Sequence, residues 1–462
     1  MLFLFNYLKI SLWSLVYYYQ KEKSDIILSL ILKNIKNSGC IGIKLSQWIL
    51  PRLEALYDIK NNDDNLRWIQ KLEELYDNCN EHLIEYTEKK YYDNFSTELS
   101  SDYDNISLIS SGSIGQVYKI RSKKNQKYYA MKCIHPNINN QLFFFNILIK
   151  ILYNTPFIKQ YIKYYIPVHL PHFIEIFKTQ IDFINEANNC LLFYNNYKDN
   201  DYIIIPELIK ISKDVIIMSY EEGEKYCELN YSEYINQKIW TLMRMFAKNN
   251  ELILNFVHGD LHKGNWKIRK NKSDIKLVIY DFGFCWKIPD FLFSDDSISF
   301  INTTFLKIAL NYNDSNIMDN FIESCYLLTN KKCSKEILEK EISNICNTVK
   351  LNNPLLLFTL MIRIIRNNDL IIDKYIIQSL ILHNQLYENM KKYELNDAKN
   401  TLYEYYDEHV SYLIIFCREN KIFDEYINLL EKEKEKYFSE NSENSETNSN
   451  QINYENLKKF IK

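Results

Sequence analysis

The sequence predicts an α+β fold with two lobes, a small antiparallel β lobe and a large helical lobe, preceded by a helical N-terminal extension. Short runs of alternating apolar and polar residues, typical of strands, mark residues 106–132 and 202–218. Apolar residues at helical spacing fill residues 24–88 and most of the chain after Gly223. A length of 462 residues, 47% hydrophobic and 25% charged, allows a large core shared by more than one domain.

The extension and the β lobe are predicted element by element. Leu66, Ile69, Leu72 and Tyr76 have helical spacing, and a polar stretch at 88–105 is interpreted as a linker. Five strands are then expected, with a helical stretch before the fourth and turns at Ser111-Gly112 and 123–125; they are 106–109, 116–120, 128–132, 202–205 and 215–218.

These changes of pattern divide the chain into five segments. An apolar segment at 1–20 precedes the helical extension at 21–100. The β lobe is predicted at 104–220 and the helical lobe at 221–435. The tail at 436–462, rich in Ser, Glu and Asn, has too few apolar groups to order itself.

The apolar N-terminal segment has two open interpretations. Trp13 and the tyrosines at 17–19 suit a membrane interface, whereas a helix packed on the body of the protein is the somewhat favoured alternative. The segment lacks the basic start and the small-residue cleavage site of a signal peptide. The first arginine is Arg52, which disfavours an Arg-rich transit peptide.

Charge and cysteine usage limit the classes of function and location. A net charge of −3 provides no basic footprint, so nucleic acid is not an expected partner. The ten cysteines are scattered without a CxxC pair, which favours reduced thiols in an intracellular, reducing compartment.

Residues 256–283 carry the most specific motif. Asn265 follows Asp260 by five positions, and Asp281 opens an Asp-Phe-Gly triplet directly after a predicted strand at 276–279. Phosphoryl transfer needs a carboxylate that orients the attacking hydroxyl and Mg²⁺ held against the phosphates. The motif therefore indicates a protein-kinase-like phosphotransferase, with Asp260 as catalytic carboxylate and Asn265 and Asp281 as metal ligands. His258, like the histidine two positions after Asp260, is interpreted as orienting this loop, not as a metal ligand.

A turn between the first two predicted strands indicates a nucleotide loop. Gly112, Ser113 and Gly115 would bring backbone N–H groups close to phosphate, and Val117 would pack on adenine.

Lys132, on the next predicted strand, has the position of a lysine that contacts the phosphates of ATP. Asp182 and Glu186 are predicted to share one face of a helix at 180–189, with Glu186 as the ion-pair partner of Lys132. Met218 ends a strand and is expected to line the adenine pocket.

Over residues 35–286 the chain resembles the aarF/UbiB family of atypical, protein-kinase-like kinases and ATPases, members of which support ubiquinone synthesis. The motifs above carry the resemblance, and residues 44–47 (Lys-Leu-Ser-Gln) resemble the family's Lys-x-Gly-Gln signature. The resemblance implies a protein-kinase-like fold, use of ATP and Mg²⁺, and a lid formed by Lys44 and Gln47. No Ala-Pro-Glu follows Gly283, so a small-molecule or lipid-like substrate is expected in place of a protein.

Three positions depart from the family pattern. Gly112 replaces an alanine of the nucleotide loop, Gln180 replaces the first acid of a Glu-x-Asp motif, and Ser46 replaces the glycine of the lid signature. Two other functions stay open beside the aarF/UbiB type. Residues 258–265 also fit a small-molecule phosphotransferase of the aminoglycoside or choline kinase type, and a nucleotide-binding pseudoenzyme that serves as a scaffold is the second.

Overall fold

The computed structural model describes residues 2–20, 24–56, 81–157, 159, 169–252, 254, 256–271, 274–289, 322, 325–330, 332–346 and 373–393. The predicted tail at 436–462 and the predicted helical positions Leu66, Ile69, Leu72 and Tyr76 lie outside these residues. The described helices are α1 (Leu2–Tyr19), α2 (Asp25–Asn37), α3 (Gly39–Leu56), α4 (Ile84–Phe95), α5 (Leu99–Asp102), α6 (Ile138–Asn154), α7 (Leu170–Gln180), α8 (Phe183–Tyr197), α9 (Glu233–Leu252), α10 (Lys335–Cys346) and α11 (Lys374–Lys392). A single 3₁₀ turn, Glu228–Asn230, also lies in this part of the chain.

The described strands form three sheets. They are β1 (Tyr103–Ser111), β2 (Gly115–Ser122), β3 (Tyr128–Ile134), β4 (Ile203–Ile204), β5 (Leu208–Ile211), β6 (Val215–Ser219), β7 (Phe256–His258), β8 (Trp266–Asn271), β9 (Asp274–Ile279) and β10 (Cys285–Lys287). The sheet of the small lobe has the order β1-β2-β3-β6-β5, and β4-β9-β8 and β10-β7 form the other two. The predicted α+β fold with two lobes is confirmed.

The five-stranded sheet has one face toward its own core and one toward the other lobe. Successive side chains on a strand point to opposite faces. On β3, Met131 and Cys133 are buried in a cluster beneath the sheet, while Lys132 lies on the opposite face. Antiparallel register places Lys132 beside Val117 on β2 and Ile216 on β6. This alternation is what directs the predicted nucleotide residues toward the interlobe cavity.

The prediction that residues 202–205 supply the fourth strand of this sheet is wrong. Ile203 and Ile204 pair in parallel with Leu277 and Val278 of β9, in a different sheet. The strand beside β6 is β5. Pro206 lies between β4 and β5 and has no N–H to donate to a ladder. The chain leaves the β4-β9-β8 sheet at this point and enters the five-stranded sheet.

The predicted polar linker at 88–105 is also wrong. Helix α4 continues through the first part of this stretch, and α5 and the start of β1 follow. Tyr91, Leu99 and Tyr103 are buried in the cluster beneath the five-stranded sheet. Most residues at 88–105 are polar, so the composition alone does not indicate the apolar face that these three residues form on α4, α5 and β1.

The helix predicted at 180–189 is in fact two helices. Helix α7 ends at Gln180, and the Asp182 carboxylate caps α8 by accepting hydrogen bonds from the N–H groups of Ile184 at 3.0 Å and Asn185 at 3.3 Å. An aspartate favours this position because it satisfies amides that have no partner within the helix. Asp182 therefore does not share a helical face with Glu186, which lies in the first turn of α8.

The extension packs on both lobes. Ile27, Ile31 and Ile35 of α2 are buried at helical spacing and contact the inner face of α1. Gly39, with φ of +81°, allows the chain to turn from α2 into α3, since this conformation disfavours a side chain. Trp48 of α3 packs against Phe173 and Phe284 in the main core. Among the described helices, none is both long and apolar enough to span a bilayer.

Candidate functional site

A cavity of about 360 Å³ lies between the lobes and is closed on one side by α3. It brings together residues that are far apart in the sequence. Those that the sequence predicts and that line it are Lys44, Gln47, Gly112, Ser113, Gly115, Val117, Lys132, Met218, Asp260, Asn265 and Asp281.

Lys132 is the centre of a buried charge cluster. Its ammonium donates to both carboxylate oxygens of Glu186 at 2.8 Å and to Asp281 Oδ1 at 3.0 Å. The predicted Lys132–Glu186 pair is therefore present, and one metal-ligand candidate is attached to it. Asp281 has a φ of 64°, a left-handed conformation that costs a non-glycine residue about 1–3 kcal/mol and recurs at functional sites.

Lys132 and Glu186 are buried, whereas the Asp281 side chain is partly exposed in the cavity, and the pKa values of the three groups diverge. Burial would lower the pKa of Lys132, but attraction from Asp281 and Glu186 outweighs it and holds that pKa above its usual range. Burial raises the pKa of Glu186 to about 7, against the attraction of Lys132. The pKa of Asp281 shifts in the opposite direction. Loss of water contact would raise it, but Lys132 and Lys44 outweigh this effect and hold it well below its usual range. Asp281 is thus the carboxylate that stays ionised.

Asp260 is held by the extension. Its Oδ2 accepts from the Lys44 ammonium at 3.0 Å, and its Oδ1 lies 3.8 Å from His262 Nε2. Burial by itself would raise the pKa of Asp260, but Lys44 and His262 together bring it below its usual range. The lid expected from residues 44–47 therefore contacts the candidate catalytic carboxylate directly. Ser46 does not prevent this approach, because its hydroxyl donates back to the Gly42 carbonyl within α3.

The oxygen donors at this site suit Mg²⁺. The Asn265 amide nitrogen donates to the Asp260 carbonyl at 2.9 Å, so the amide oxygen is the atom left to act as a ligand. Together with the Asp281 carboxylate it forms a hard, oxygen-only donor pair of the kind Mg²⁺ prefers, with phosphates and water to complete the shell. In the part of the chain that the structure describes, no three His, Cys, Asp or Glu side chains are grouped to hold a metal by themselves.

The two histidines beside Asp260 are engaged with the loop backbone. His258 is fully buried, and its Nδ1 accepts from the Asp260 N–H at 3.3 Å while its Nε2 lies 3.3 Å from the Tyr280 carbonyl. His262 Nδ1 accepts from the Gly264 N–H at 3.0 Å. These contacts fix the loop that presents Asp260.

Gly259 and Gln180 contribute to the site in ways that the motifs do not reveal. A Cβ at Gly259 would lie 1.6 Å from the ring of Trp286, so only glycine allows the loop to pass this ring. Gln180 lines the cavity and is buried, and its amide nitrogen has no hydrogen-bond partner among the described groups. The neutral residue at this departure from the family pattern thus faces the site.

Three further cavity residues are absent from the sequence prediction, two in the segment after β6 and one on β8. Tyr220, Lys225 and Lys267 line the cavity on the side of Met218. Burial lowers the pKa of Lys267, and repulsion from Lys225 and Lys119 adds to this effect. The sequence does contain a pattern that could have identified Lys267. It lies between the buried Trp266 and Ile268 on β8, so its side chain points to the face of the strand opposite to theirs.

Comparisons with known proteins assign the family. The model of the ABC1 atypical kinase-like domain matches residues 74–306, half of the chain. The probable serine/threonine-protein kinase abkC of Dictyostelium discoideum is 26% identical over 254 residues, which cover 53% of this chain and 35% of that protein. The probable protein kinase UbiB of Blochmanniella pennsylvanica is 25% identical over 232 residues, covering 46% of this chain and 41% of that protein.

The chain thus spans well under half of the length of either relative. Among solved structures, the complex of Rv3197 with erythromycin from Mycobacterium tuberculosis is 17% identical and covers 66% of this chain and 82% of its own, with a TM-score of 0.39, too low to add weight. The aarF/UbiB resemblance is confirmed by the family match and by relatives of that name. The chain belongs to the ABC1 atypical kinase-like domain family.

Proposed function

We propose that this chain is a phosphotransferase or ATPase that uses ATP and Mg²⁺ and acts on a small-molecule or lipid-like substrate. The observation that carries the proposal is that Lys132, Asp260, Asn265 and Asp281 line one cavity, while the buried Glu186 holds the Lys132 ammonium. These are the groups that positioning and charge stabilisation of a phosphoryl group require.

Each of these side chains has a separate task in this mechanism. The Lys132 ammonium, aligned by Glu186, would bind the phosphates of the nucleotide. Asn265 and Asp281 would hold Mg²⁺, which supplies charge neutralisation at the phosphates. Asp260, which stays ionised at neutral pH, would orient the acceptor hydroxyl or water and accept its proton.

The position of α3 supports a substrate other than a protein. Lys44 and Gln47 of this helix line the cavity, and Lys44 is in contact with Asp260. An acceptor must therefore reach Asp260 beside or in place of the Lys44 ammonium. A hydroxyl on a small or lipid-like molecule meets this restriction more readily than a residue within a polypeptide.

Helix α1 supports membrane contact as part of this function. Phe5, Leu8, Leu12, Leu15 and Tyr19 are exposed at intervals of three or four residues, while other apolar side chains of α1 pack on α2. An exposed apolar stripe of this kind suits the boundary of a bilayer. We place the protein in an intracellular, reducing compartment, where buried thiols such as Cys133 and Cys190 stay unmodified.

The Asp281→Asn variant tests the proposal. It should lose Mg²⁺-dependent ATP turnover by at least about a hundredfold while its thermal unfolding stays close to that of the wild type. Asp104→Asn, which removes a carboxylate paired with Arg121 outside the cavity, is the matched control and should retain turnover. Undiminished turnover in Asp281→Asn would refute the assignment.

The acceptor is identified by measuring phosphate transfer from ATP to lipid vesicles, aminoalcohols, aminoglycosides and a protein mixture. Transfer to lipid supports the proposal, transfer to aminoalcohols or aminoglycosides favours the alternative of an aminoglycoside or choline kinase type, and transfer to protein alone contradicts both. Stabilisation by ATP with neither transfer nor hydrolysis would identify a pseudoenzyme, since a ligand that binds only the folded state raises its stability.

A further inference from the structure

One end of the cavity is basic although the lysine expected to bind phosphates lies elsewhere. Tyr220, Lys225 and Lys267 line the cavity, and Lys119 lies outside this lining, in contact with Tyr220. The ammonium groups of Lys119 and Lys267 lie 4.1 Å and 5.7 Å from the centre of the Tyr220 ring. Lys119, Lys225 and Lys267, called the hinge lysines below, come from β2, from the segment after β6 and from β8.

The strand register separates the hinge lysines from Lys132. Tyr128 and Lys132 are four residues apart on β3, which corresponds to about 13 Å in an extended strand. The Tyr220 N–H donates to the Tyr128 carbonyl at 3.3 Å, and the Lys119 ammonium lies 4.4 Å from the centre of the Tyr128 ring. A nucleotide with its 5′-phosphates at Lys132 would therefore extend its nucleoside toward the hinge lysines.

Among the described residues, no carboxylate pairs with Lys119 or Lys267. Both contact tyrosine rings instead. The neighbouring acid Glu221 is engaged by Arg269 at 2.7 Å. The two ammonium groups lie within about 10 Å of each other, a distance comparable with the Debye length in dilute salt, so they repel. A ring face attracts a cation weakly and leaves its charge in place.

We propose that the hinge lysines form a second anion subsite of the cavity, which binds a phosphate group other than the 5′-phosphates of the nucleotide. The inference rests on the proposed function, because it takes a nucleotide to occupy the cavity with its 5′-phosphates at Lys132. The phosphate has two sources with the same chemistry. It is carried either on the 2′ or 3′ oxygen of the ribose or on the head group of the acceptor molecule. Lysine ammonium groups suit both, since they bind phosphate as mobile point charges.

Binding measurements on the full chain distinguish the two sources without any turnover. Adenosine 2′,5′-bisphosphate and adenosine 3′,5′-bisphosphate are compared with AMP by calorimetry at low ionic strength. If the ribose carries the phosphate, one bisphosphate binds about tenfold more tightly than AMP. If the acceptor carries it, glycerol 3-phosphate binds in the presence of saturating AMP. In the first case the Lys119→Met/Lys267→Met variant loses the tighter binding of the bisphosphate, and in the second it loses the binding of glycerol 3-phosphate. In both cases it keeps its affinity for AMP.

Two further variants control for charge and packing. Lys124→Met removes a lysine that is exposed in the turn between β2 and β3 and should behave as the wild type. Lys119→Arg/Lys267→Arg keeps both positive charges. It should retain at least half of the gain in affinity that the second phosphate gives the wild type.

Two results would overturn the subsite: no preference for either bisphosphate together with no binding of glycerol 3-phosphate, or equal preferences in the wild type and in the methionine variant. Because these measurements need binding only, a failure here is distinct from a failure of the Asp281→Asn test. Absence of AMP binding by the wild type would overturn both the subsite and the proposed nucleotide cavity.

Discussion

Asp260 is the residue whose surroundings determine most of the chemistry proposed for this chain. It lies half-buried between the Lys44 ammonium at 3.0 Å and the His262 ring at 3.8 Å, and these groups lower its pKa although the loss of water contact opposes them. A carboxylate with a lowered pKa is ionised over the whole neutral range. It is also a weaker base, so Lys44 keeps Asp260 charged at the expense of its ability to accept a proton.

Replacing Lys44 should change the pH dependence of turnover. In Lys44→Met the pKa of Asp260 rises, because the nearest positive charge is removed while the burial remains. Activity that requires ionised Asp260 is lost as the pH falls through this pKa, so the acidic limb of the pH–rate profile moves to higher pH. Lys33→Met, on the exposed side of α2, is the control and leaves the limb in place. An unmoved limb in Lys44→Met would show that the ion pair does not tune Asp260.

Gly259 is a residue at which steric fit alone predicts an outcome. The Gly259→Ala substitution places a methyl group against the buried, rigid ring of Trp286 and should reduce the free energy of unfolding by about 1–3 kcal/mol. At Gly112 the nearest atom to an added Cβ is the Gly115 carbonyl oxygen at 3.6 Å, an ordinary contact. Gly112→Ala therefore serves as the matched control, with a change within about 0.5 kcal/mol. Urea titration measures both, and equal midpoints for Gly259→Ala and the wild type would contradict the steric argument.

At the scale of elements, a chain of hydrogen bonds links the start of α4 to the nucleotide loop. The Gly112 carbonyl can only accept, so His135 Nε2–H donates to it at 2.9 Å. The Nδ1 of a neutral His135 then accepts from His82 Nδ1–H at 2.9 Å, and His82 Nε2 lies 2.8 Å from the Thr87 hydroxyl. One of the two facing Nδ1 atoms must accept, so the two rings cannot both carry a positive charge.

This arrangement predicts that acid destabilises the β lobe. Burial lowers the pKa of His82 to about 4 and also lowers that of His135. A histidine in the unfolded chain has a pKa near 6.5, so between about pH 6.5 and pH 4 the unfolded state binds more protons and the stability of the fold decreases. The free energy of unfolding should therefore be lower at pH 5 than at pH 7.5, and His135→Asn should show a smaller decrease. An equal decrease in both proteins would assign the acid sensitivity to other groups.

At the scale of the whole molecule, the extension is part of the site as well as of the surface. Its helix α3 packs on the main core through Trp48 and reaches Asp260 through Lys44, while α1 presents an apolar stripe outward. Helices α1, α2 and α3 pack one on the next, and they therefore connect the outer surface of α1 to Asp260 in the cavity. Membrane contact and catalysis are expected to share this extension.

The exposed stripe of α1 predicts binding to lipid vesicles. Leu8→Glu/Leu12→Glu removes two exposed leucines and adds charge, and burial of one leucine contributes about 1.5–3 kcal/mol, so partition onto vesicles should fall by at least about tenfold. Leu229→Glu, which changes a leucine that is 93% exposed but lies outside α1, is the matched control and should partition as the wild type. Flotation with liposomes gives the result, and identical partition of all three proteins would exclude α1 as the contact.

Much of the fold could be predicted because its signals are local. The alternation at 116–120 and 128–132 identified β2 and β3, since a strand with one face in the core repeats every two residues. Prediction was wrong where a partner in the tertiary structure decided the outcome. Residues 203–204 pair with β9, and the buried face of residues 91–103 shows only against the sheet.

The sequence by itself determined the chemistry and order of the candidate catalytic groups, because Asp260, Asn265 and the Asp-Phe-Gly triplet lie in one short segment. Only the tertiary structure decided which charges meet. Lys132 reaches Asp281 across 149 positions of sequence and Lys44 reaches Asp260 across 216. Contacts at such separations depend on how the lobes and the extension pack and on which groups lose water, and no local spacing encodes either. The hinge lysines also depend on tertiary structure, since Lys119 of β2 and Lys267 of β8 meet only at the Tyr220 ring.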